Sequence, residues 1–198
     1  MSKILVMYFS KYGATKKYAE WIGSELNGEI LCIKDVNKRN LGNYDAIILG
    51  SGLYAGKIQG INILLDNYQI LKDKILVIYT CGLADYSKIK NIDAIRKRLE
   101  KEIPENIIKT IKVYYLRGGI DYRKLNLKHK IMMALLKKIV IKRRLHKANE
   151  EDKEFIETYG QTMDFTDKNS INEIIEYCKS NKRIERVPSN CYYKNNIK

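Results

Sequence analysis

The stretch that decides the fold is residues 3–15, KILVMYFSKYGAT. Its first seven residues form an apolar run rich in strand formers, with no polar side turned to water. Such a run suits a central strand of a parallel sheet covered on both faces. SKYGAT follows, and then Tyr18, Ala19, Ile22 and Leu26 recur at helical spacing. That spacing predicts a helix over 15–26, with Gly28 placed to end it. A strand that turns directly into a helix is the opening half of a β–α–β unit.

Working outward, the pattern repeats. Further strands are predicted at 29–33, 45–50 (DAIILG), 74–80 (KILVIYT) and 111–116 (IKVYYL), with helices at 61–68 and 89–103 between them. Two more helices are expected at 149–159 and 170–178, the last opened by a capping-box pair, Ser170 and Glu173. Strands alternating with helices imply an α/β fold with a doubly wound, five-stranded parallel sheet. The expected organisation is one domain over 1–181 and a polar C-terminal tail over 182–198.

Composition narrows the class. The chain has 198 residues, 45 % of them hydrophobic, and only two prolines, which excludes a disordered or linker-type protein. A chain this long buries about 70 % of its unfolded surface, so it needs no disulfide or metal staple. Cys32, Cys81, Cys178 and Cys191 form no C-x-x-C pair, and His129 and His146 lie near none of them, so zinc-ligand spacing is absent. No signal-peptide pattern opens the sequence, and no apolar run approaches the ~18–20 residues of a membrane span; IMMALL (131–136) is cut by Lys137 and Lys138. The expectation is a cytoplasmic protein with reduced thiols.

The formal net charge is +14, and it is unevenly placed. Residues 122–149 hold ten Lys/Arg and no Asp or Glu, so the remainder is only mildly basic. An excess of this kind suits nucleic acid, anionic lipid or an anionic substrate, and the segment needs its own explanation.

The loops after strands one, three, four and five carry the chemistry, because open α/β sheets bind ligands outside the carboxyl ends of their strands. The first loop is Ser10, Lys11, Tyr12, Gly13, Ala14 and Thr15. Opening a helix, it offers free N–H groups, the positive end of the dipole and two hydroxyls to a phosphate; the other reading is a plain helix capped by Ser10 or Thr15. The third loop, Ser51, Gly52, Leu53, Tyr54, Ala55 and Gly56, can wrap a flat ligand. The fourth, Thr80, Cys81, Gly82, Leu83, Ala84, Asp85 and Tyr86, can form its opposite wall, and Gly118-Gly119 ends the fifth strand. Tyr54 and Tyr86 also read as ordinary loop tyrosines, two of fifteen. No Walker loop is present, and Gly56 falls one residue late for G-x-G-x-x-G after a third strand, which excludes the dinucleotide fingerprint. Gly50-Ser51 stands where a phospho-receiver domain needs a carboxylate.

On Ser10, Gly13 and Thr15, with G-S-G-L-Y after strand three and C-G-L-A-D-Y after strand four, the chain resembles the flavodoxin superfamily. Lys11-Tyr12 departs from the T-G pairs of many members. The resemblance implies a flavodoxin-like fold and noncovalent FMN, its phosphate in the first loop and its ring between the other two. With R-G-G-I-D-Y (117–122) and the basic insertion before the last helix, residues 1–180 also look like the flavodoxin-type, menaquinone-dependent protoporphyrinogen oxidases. That narrower resemblance implies electron passage from a porphyrinogen-like reduced substrate through FMN to menaquinone. A flavodoxin-type electron carrier is the alternative function, and a flavin-free membrane-binding module the third. No dedicated acid–base pair is legible; Asp85, Tyr54 and Tyr86 are candidate proton partners, and Cys81 is a candidate neighbour of the flavin.

The insertion, 127–145, reads LKHKIMMALLKKIVIKRRL. Met132, Leu135, Leu136, Ile139 and Val140 fall on one helical face, and Lys130, Lys137, Lys138, Lys142 and Arg144 largely on the other. Such a helix can pack on the sheet, or lie peripherally on an anionic membrane and flank the flavin site. Nucleic acid is disfavoured, because no aromatic residues interleave the charges and no nucleic-acid fold is recognised.

Overall fold

The computed structural model describes residues 2–54, 57–144 and 150–181. Ala55, Gly56, residues 145–149 and the predicted tail lie outside the described residues. The chain runs β1 (Ile4–Phe9), α1 (Ala14–Leu26), β2 (Glu29–Cys32), β3 (Ala46–Tyr54), β4 (Lys57–Ile58), α2 (Ile61–Asp66), α3 (Tyr68–Leu71), β5 (Ile75–Gly82), α4 (Ile89–Glu102), α5 (Glu105–Ile108) and β6 (Ile111–Arg117). It continues through β7 (Gly119–Asp121), α6 (Leu127–Arg144), α7 (Glu150–Glu157), β8 (Thr162–Asp164) and α8 (Asn172–Asn181).

The five long strands form the expected parallel sheet, in the order β2-β1-β3-β5-β6. Alternation along each strand explains why these runs are apolar throughout. Leu5, Met7, Ile47, Leu49, Leu76 and Ile78 meet α2 to α5 on one face. Ile4, Val6, Ile48, Val77 and Tyr79 meet α1 and α8 on the other. Both sets are buried, and side chains with period two therefore fill two cores from one sheet.

The structure corrects the sequence reading at several points. β3 and β5 continue past the predicted ends into the third and fourth loops, because Gly52 pairs with Cys81 and Cys81 with Leu116. Residues 51–54 are therefore strand, and β4 pairs back on them antiparallel as a hairpin. The helix expected over 61–68 is broken at Asn67 into α2 and α3. The capping box is replaced by a 3-10 turn over Lys168–Ile171, in which the Asp167 carboxylate accepts from the Asn169 N–H at 2.9 Å and Ser170 donates to the Asp167 carbonyl at 2.6 Å. Ser170 thus points back into the turn and caps nothing.

The basic insertion forms α6, but its buried seam differs from the expected face. Leu125, Met133 and Val140 turn to the protein. Met132, Leu135, Leu136 and Ile139 are exposed, so of the predicted face only Val140 is buried. The insertion is also longer than expected. β7 and β8 pair antiparallel, Gly119 with Asp164 and Asp121 with Thr162, and this ribbon closes an excursion containing both α6 and α7.

Candidate functional site

Four strand ends converge on one place. After β1, the chain turns through Gly13 at φ +99°, a left-handed conformation suited to glycine, and the space where a Cβ would stand is open. The Ser10 hydroxyl oxygen accepts from the Gly13 N–H at 3.0 Å, shaping the loop, and neither Ser10 nor Thr15 caps α1. The first-turn N–H groups of α1 have no intrahelical acceptors and no acidic residue occupies that turn, so the helix start is suited to an anion. The loop is braced from below: the buried Tyr79 hydroxyl donates to the Thr15 carbonyl at 2.9 Å.

Beside this helix start lies a cavity of about 350 Å³. Tyr12, Ala14 and Thr15 line it from the first loop, Gly52 and Leu53 from β3, and Gly118 and Gly119 from the end of β6. Cys81, Gly82, Leu83, Ala84 and Tyr86 line it from β5 and the segment after it. Three predicted loops and the Gly118-Gly119 step thus meet in one chamber. Gly13 lines a smaller cavity of about 300 Å³ on the other side of the loop, where Lys17 donates to Asp164 at 3.1 Å and to Thr166 at 2.8 Å. Asp85 lines a third, larger cavity. Ser10, Lys11, Ser51 and Thr80 line none of these. Ser51 is enclosed in β3, where its oxygen accepts from the Gln59 N–H at 2.8 Å and its hydroxyl donates to the Gly52 carbonyl at 3.2 Å, holding the hairpin. The side chain of Tyr54, with Ala55 and Gly56, falls outside the described residues.

Two further walls complete the chamber: the sequence puts the insertion beside the flavin site without identifying the residues that face it, and gives no sign of the α4 wall. Asn91, Ile95 and Arg98 enter from α4, and Leu125, His129, Met132 and Met133 form a roof from α6 and the turn before it. The roof is fastened to the first loop: the Tyr12 hydroxyl hydrogen-bonds His129 Nδ1, and the two rings meet edge-on with centroids 5.6 Å apart. Burial, with the charge of Lys11, lowers the His129 pKa below its ordinary value, favouring the neutral imidazole. The signal for the roof was the helical seam 125, 129, 133, 140, concealed by a second set of apolar residues on the same helix.

A larger cavity of about 650 Å³ adjoins the first, sharing Leu83, Ala84, Asn91, Arg98, Ile120 and Met133 as a common wall. Phe155, Met163, Phe165 and Val140 give it an apolar stretch, and three cations (Lys90, Arg98, Arg117) and three carboxylates (Asp85, Asp152, Glu154) also line it. Arg117, the last residue of β6, organises its edge. Its guanidinium donates to Glu154 at 2.8 Å and to the Leu83 carbonyl at 3.3 Å, and stacks 3.7 Å from the Phe165 ring centroid.

The donor set is suited to a flat, partly polar ring with an anionic tail. Tyr86 contributes to the first cavity, and its hydroxyl is buried with no hydrogen-bond partner, as is that of Thr80. A buried hydroxyl without a partner is costly, and a ligand that accepts its bond removes the penalty. Burial pushes the Tyr86 phenol up, so it serves as a hydrogen-bond donor. Asp85 is different: the Ser87 hydroxyl and N–H, at 2.8 and 3.0 Å, hold its carboxylate below the usual range and favour its ionised form, which makes it a poor proton donor. Among the described residues no cluster of His, Cys, Asp and Glu could hold a metal ion.

Cys81 lines the same cavity, but burial pushes its thiol up to about 12. The reactive thiolate is therefore scarce until the pH rises far above neutrality. Iodoacetamide at about pH 8.5 should leave Cys81 unmodified in the folded protein while labelling half-exposed Cys32. Mass spectrometry of the peptides checks this, and rapid native labelling of Cys81 would contradict it.

A family model described as a flavodoxin domain matches residues 5–147, well over half of the chain. The chain belongs to the flavodoxin domain family. The match runs past the end of α6, so this helix lies within the matched span of the flavodoxin domain. Comparison with curated protein sequences finds no match. Among solved structures, the chain is similar to a flavodoxin from the domain Archaea at 18 % identity and a TM-score of 0.42, covering 89 % of this chain and 99 % of that one. It is similar to a putative flavoprotein from Bacteroides eggerthii at 23 % identity and a TM-score of 0.41, covering 58 % and 86 %. A Fusobacterium nucleatum flavodoxin mutant bound to flavin mononucleotide aligns at 16 % identity and a TM-score of 0.36, covering 61 % and 71 %. The FMN assignment rests on membership of the flavodoxin domain family and on the fit of the cavity.

Proposed function

We propose that this flavodoxin-domain protein is an FMN-dependent oxidoreductase resembling the menaquinone-dependent protoporphyrinogen oxidases, taking electrons from an apolar, acid-bearing reduced substrate and passing them to a quinone. The observation that carries the flavin part is the cavity at four parallel strand ends, with an anion-ready helix start on one side and the partnerless Tyr86 hydroxyl on the other. The N–H groups at the α1 N-terminus hold the phosphate beside Thr15, Ser10 keeps the loop in shape, Leu53 and Leu83 cover the ring, and Tyr86 donates to one of its polar edges. FMN bound there supplies hydride and electron-transfer chemistry.

The adjoining chamber favours an enzyme over a simple carrier. Docking between electron carriers needs no roofed second cavity, whereas a small reactant needs an enclosed place beside the cofactor. Arg98 stands on the wall common to both cavities and has no ion-pair or hydrogen-bond partner among the described residues. Its guanidinium is suited to a carboxylate on the incoming substrate.

Purified protein titrated with FMN should gain a bound-flavin absorption spectrum, then oxidise protoporphyrinogen IX with menadione as acceptor, and act more slowly on the carboxyl-esterified substrate. A protein that stays colourless sinks the whole reading. Flavin binding without turnover above free FMN sinks the oxidase and leaves an electron carrier.

A further inference from the structure

The outer side of α6 is left uncovered by the other described residues. Leu127, Ile131, Leu135 and Ile139 recur every fourth residue and are 73 %, 53 %, 56 % and 61 % exposed. Residues four apart share a helix face, so these four make one slowly winding apolar stripe. Beside it runs a second row, Lys130, Lys138 and Lys142, eight and four residues apart and all exposed. These three lysines have no carboxylate partner among the described residues. An apolar stripe this exposed is unfavourable in water, and the lysine stripe adds charge that no neighbouring acid balances.

From this pairing we infer that α6 docks on an anionic lipid bilayer, its apolar stripe set among the acyl chains and its lysines at the headgroups. Charge complementarity selects this occupant. A second copy of the chain would bring two unbalanced lysine stripes together, whereas an anionic headgroup layer neutralises each. No helix among the described residues is long and apolar enough to cross a membrane, so docking is peripheral.

The same helix has a second surface, and this gives the docking a consequence. Met132 lines the first cavity and Leu136 the second, yet they remain 40 % and 41 % exposed. The rims of both cavities are thus continuous with the apolar side of α6. A docked α6 turns these rims toward lipid, so a bilayer-dissolved reactant can enter without crossing water. This consequence rests on the oxidoreductase reading; the docking does not.

The full-length protein, with and without FMN, should sediment with phosphatidylcholine vesicles containing phosphatidylglycerol, and not with phosphatidylcholine alone. High salt should weaken binding, because the headgroup attraction is screened. The double variant Leu135→Glu/Ile139→Glu should bind at least tenfold more weakly while keeping its melting profile and its flavin spectrum. Unchanged binding by the double variant overturns the inference, as does failure of the wild type to bind anionic vesicles. So does a wild-type dimer in light scattering that the same variant dissociates, since the stripe would then belong to a second copy. Vesicle binding by a protein that takes up no FMN leaves the docking intact and removes the reading of the site.

Discussion

Gly50→Ala should lower the thermal midpoint by about 10 °C, because about 2–4 kcal/mol of stability is lost in a domain of this size. Gly50 lies in β3 between Tyr8 on β1 and Tyr79 on β5. A Cβ at Gly50 would stand 2.1 Å from both Cζ and the hydroxyl oxygen of Tyr79. A ring tip can often swing away, but this one is pinned. Tyr79 is fully buried, its hydroxyl donates to the Thr15 carbonyl at 2.9 Å, and its ring meets Tyr18 edge-on at 6.3 Å between centroids. Overpacking of this kind costs about 1–3 kcal/mol, and displacing the ring forfeits a buried hydrogen bond worth about 1 kcal/mol. Because that bond braces the first turn of α1, FMN affinity should fall with stability. A thermal melt followed by circular dichroism measures the first effect, and flavin titration the second. Tyr79→Phe alone should cost about 1 kcal/mol, and the double variant Gly50→Ala/Tyr79→Phe should recover only part of the loss, since Cζ still obstructs the added methyl. An unchanged midpoint for Gly50→Ala would mean that β3 and β5 part easily at the site.

The contrast between β1 and α6 shows what the sequence could reveal. From Ile4 to Met7 the run is apolar at every position because both faces of its strand are buried, so period, burial and fold coincide and the parallel sheet is legible. The same holds for the loops: Ser10 to Thr15, Gly52 to Leu53 and Cys81 to Tyr86 follow strand cores, and strand ends in such a sheet face one place. In α6 the signal divides. Met133 and Val140 face the protein while Leu127, Ile131, Leu135 and Ile139 face outward, so hydrophobicity alone cannot say which side packs. The ribbon of β7 and β8 was hidden for another reason. Its strands are three residues long, 41 residues separate Asp121 from Thr162, and no local periodicity encodes a pairing across two helices. Arg98 escaped notice because a lysine- and arginine-rich amphipathic helix gives no hint of which cation lacks a partner until the helix is placed.

Arg117→Ala should destabilise the protein by about 2–3 kcal/mol and weaken FMN binding as well, although the side chain lines only the second cavity. Three contacts meet on its guanidinium, and each has a modest size. The ion pair with Glu154 is partly exposed, so screening limits it to about 1 kcal/mol or less. Stacking on Phe165 contributes about 0.5–1 kcal/mol, and the bond to the Leu83 carbonyl about 1 kcal/mol. They join pieces distant in sequence: the tip of β6, the wall segment after β5, α7, and the chain leaving β8. Leu83 lines both cavities, so freeing its carbonyl loosens one wall of the cofactor chamber and one wall of the substrate chamber together. Arg117→Lys keeps the charge but loses the planar fork that serves a carboxylate, a carbonyl and a ring at once, so it should recover little. Glu154→Gln removes only the ionic part of one contact; it should cost less than about 1 kcal/mol and leave FMN affinity unchanged. Denaturant melts and flavin titrations on the three variants separate the two roles. If Glu154→Gln weakens FMN as much as Arg117→Ala does, the charge pair governs the site; if Arg117→Lys behaves as wild type, the fork does not. The expected ranking puts control of the flavin wall in the geometry of one arginine at the end of β6, one residue before the Gly118-Gly119 step.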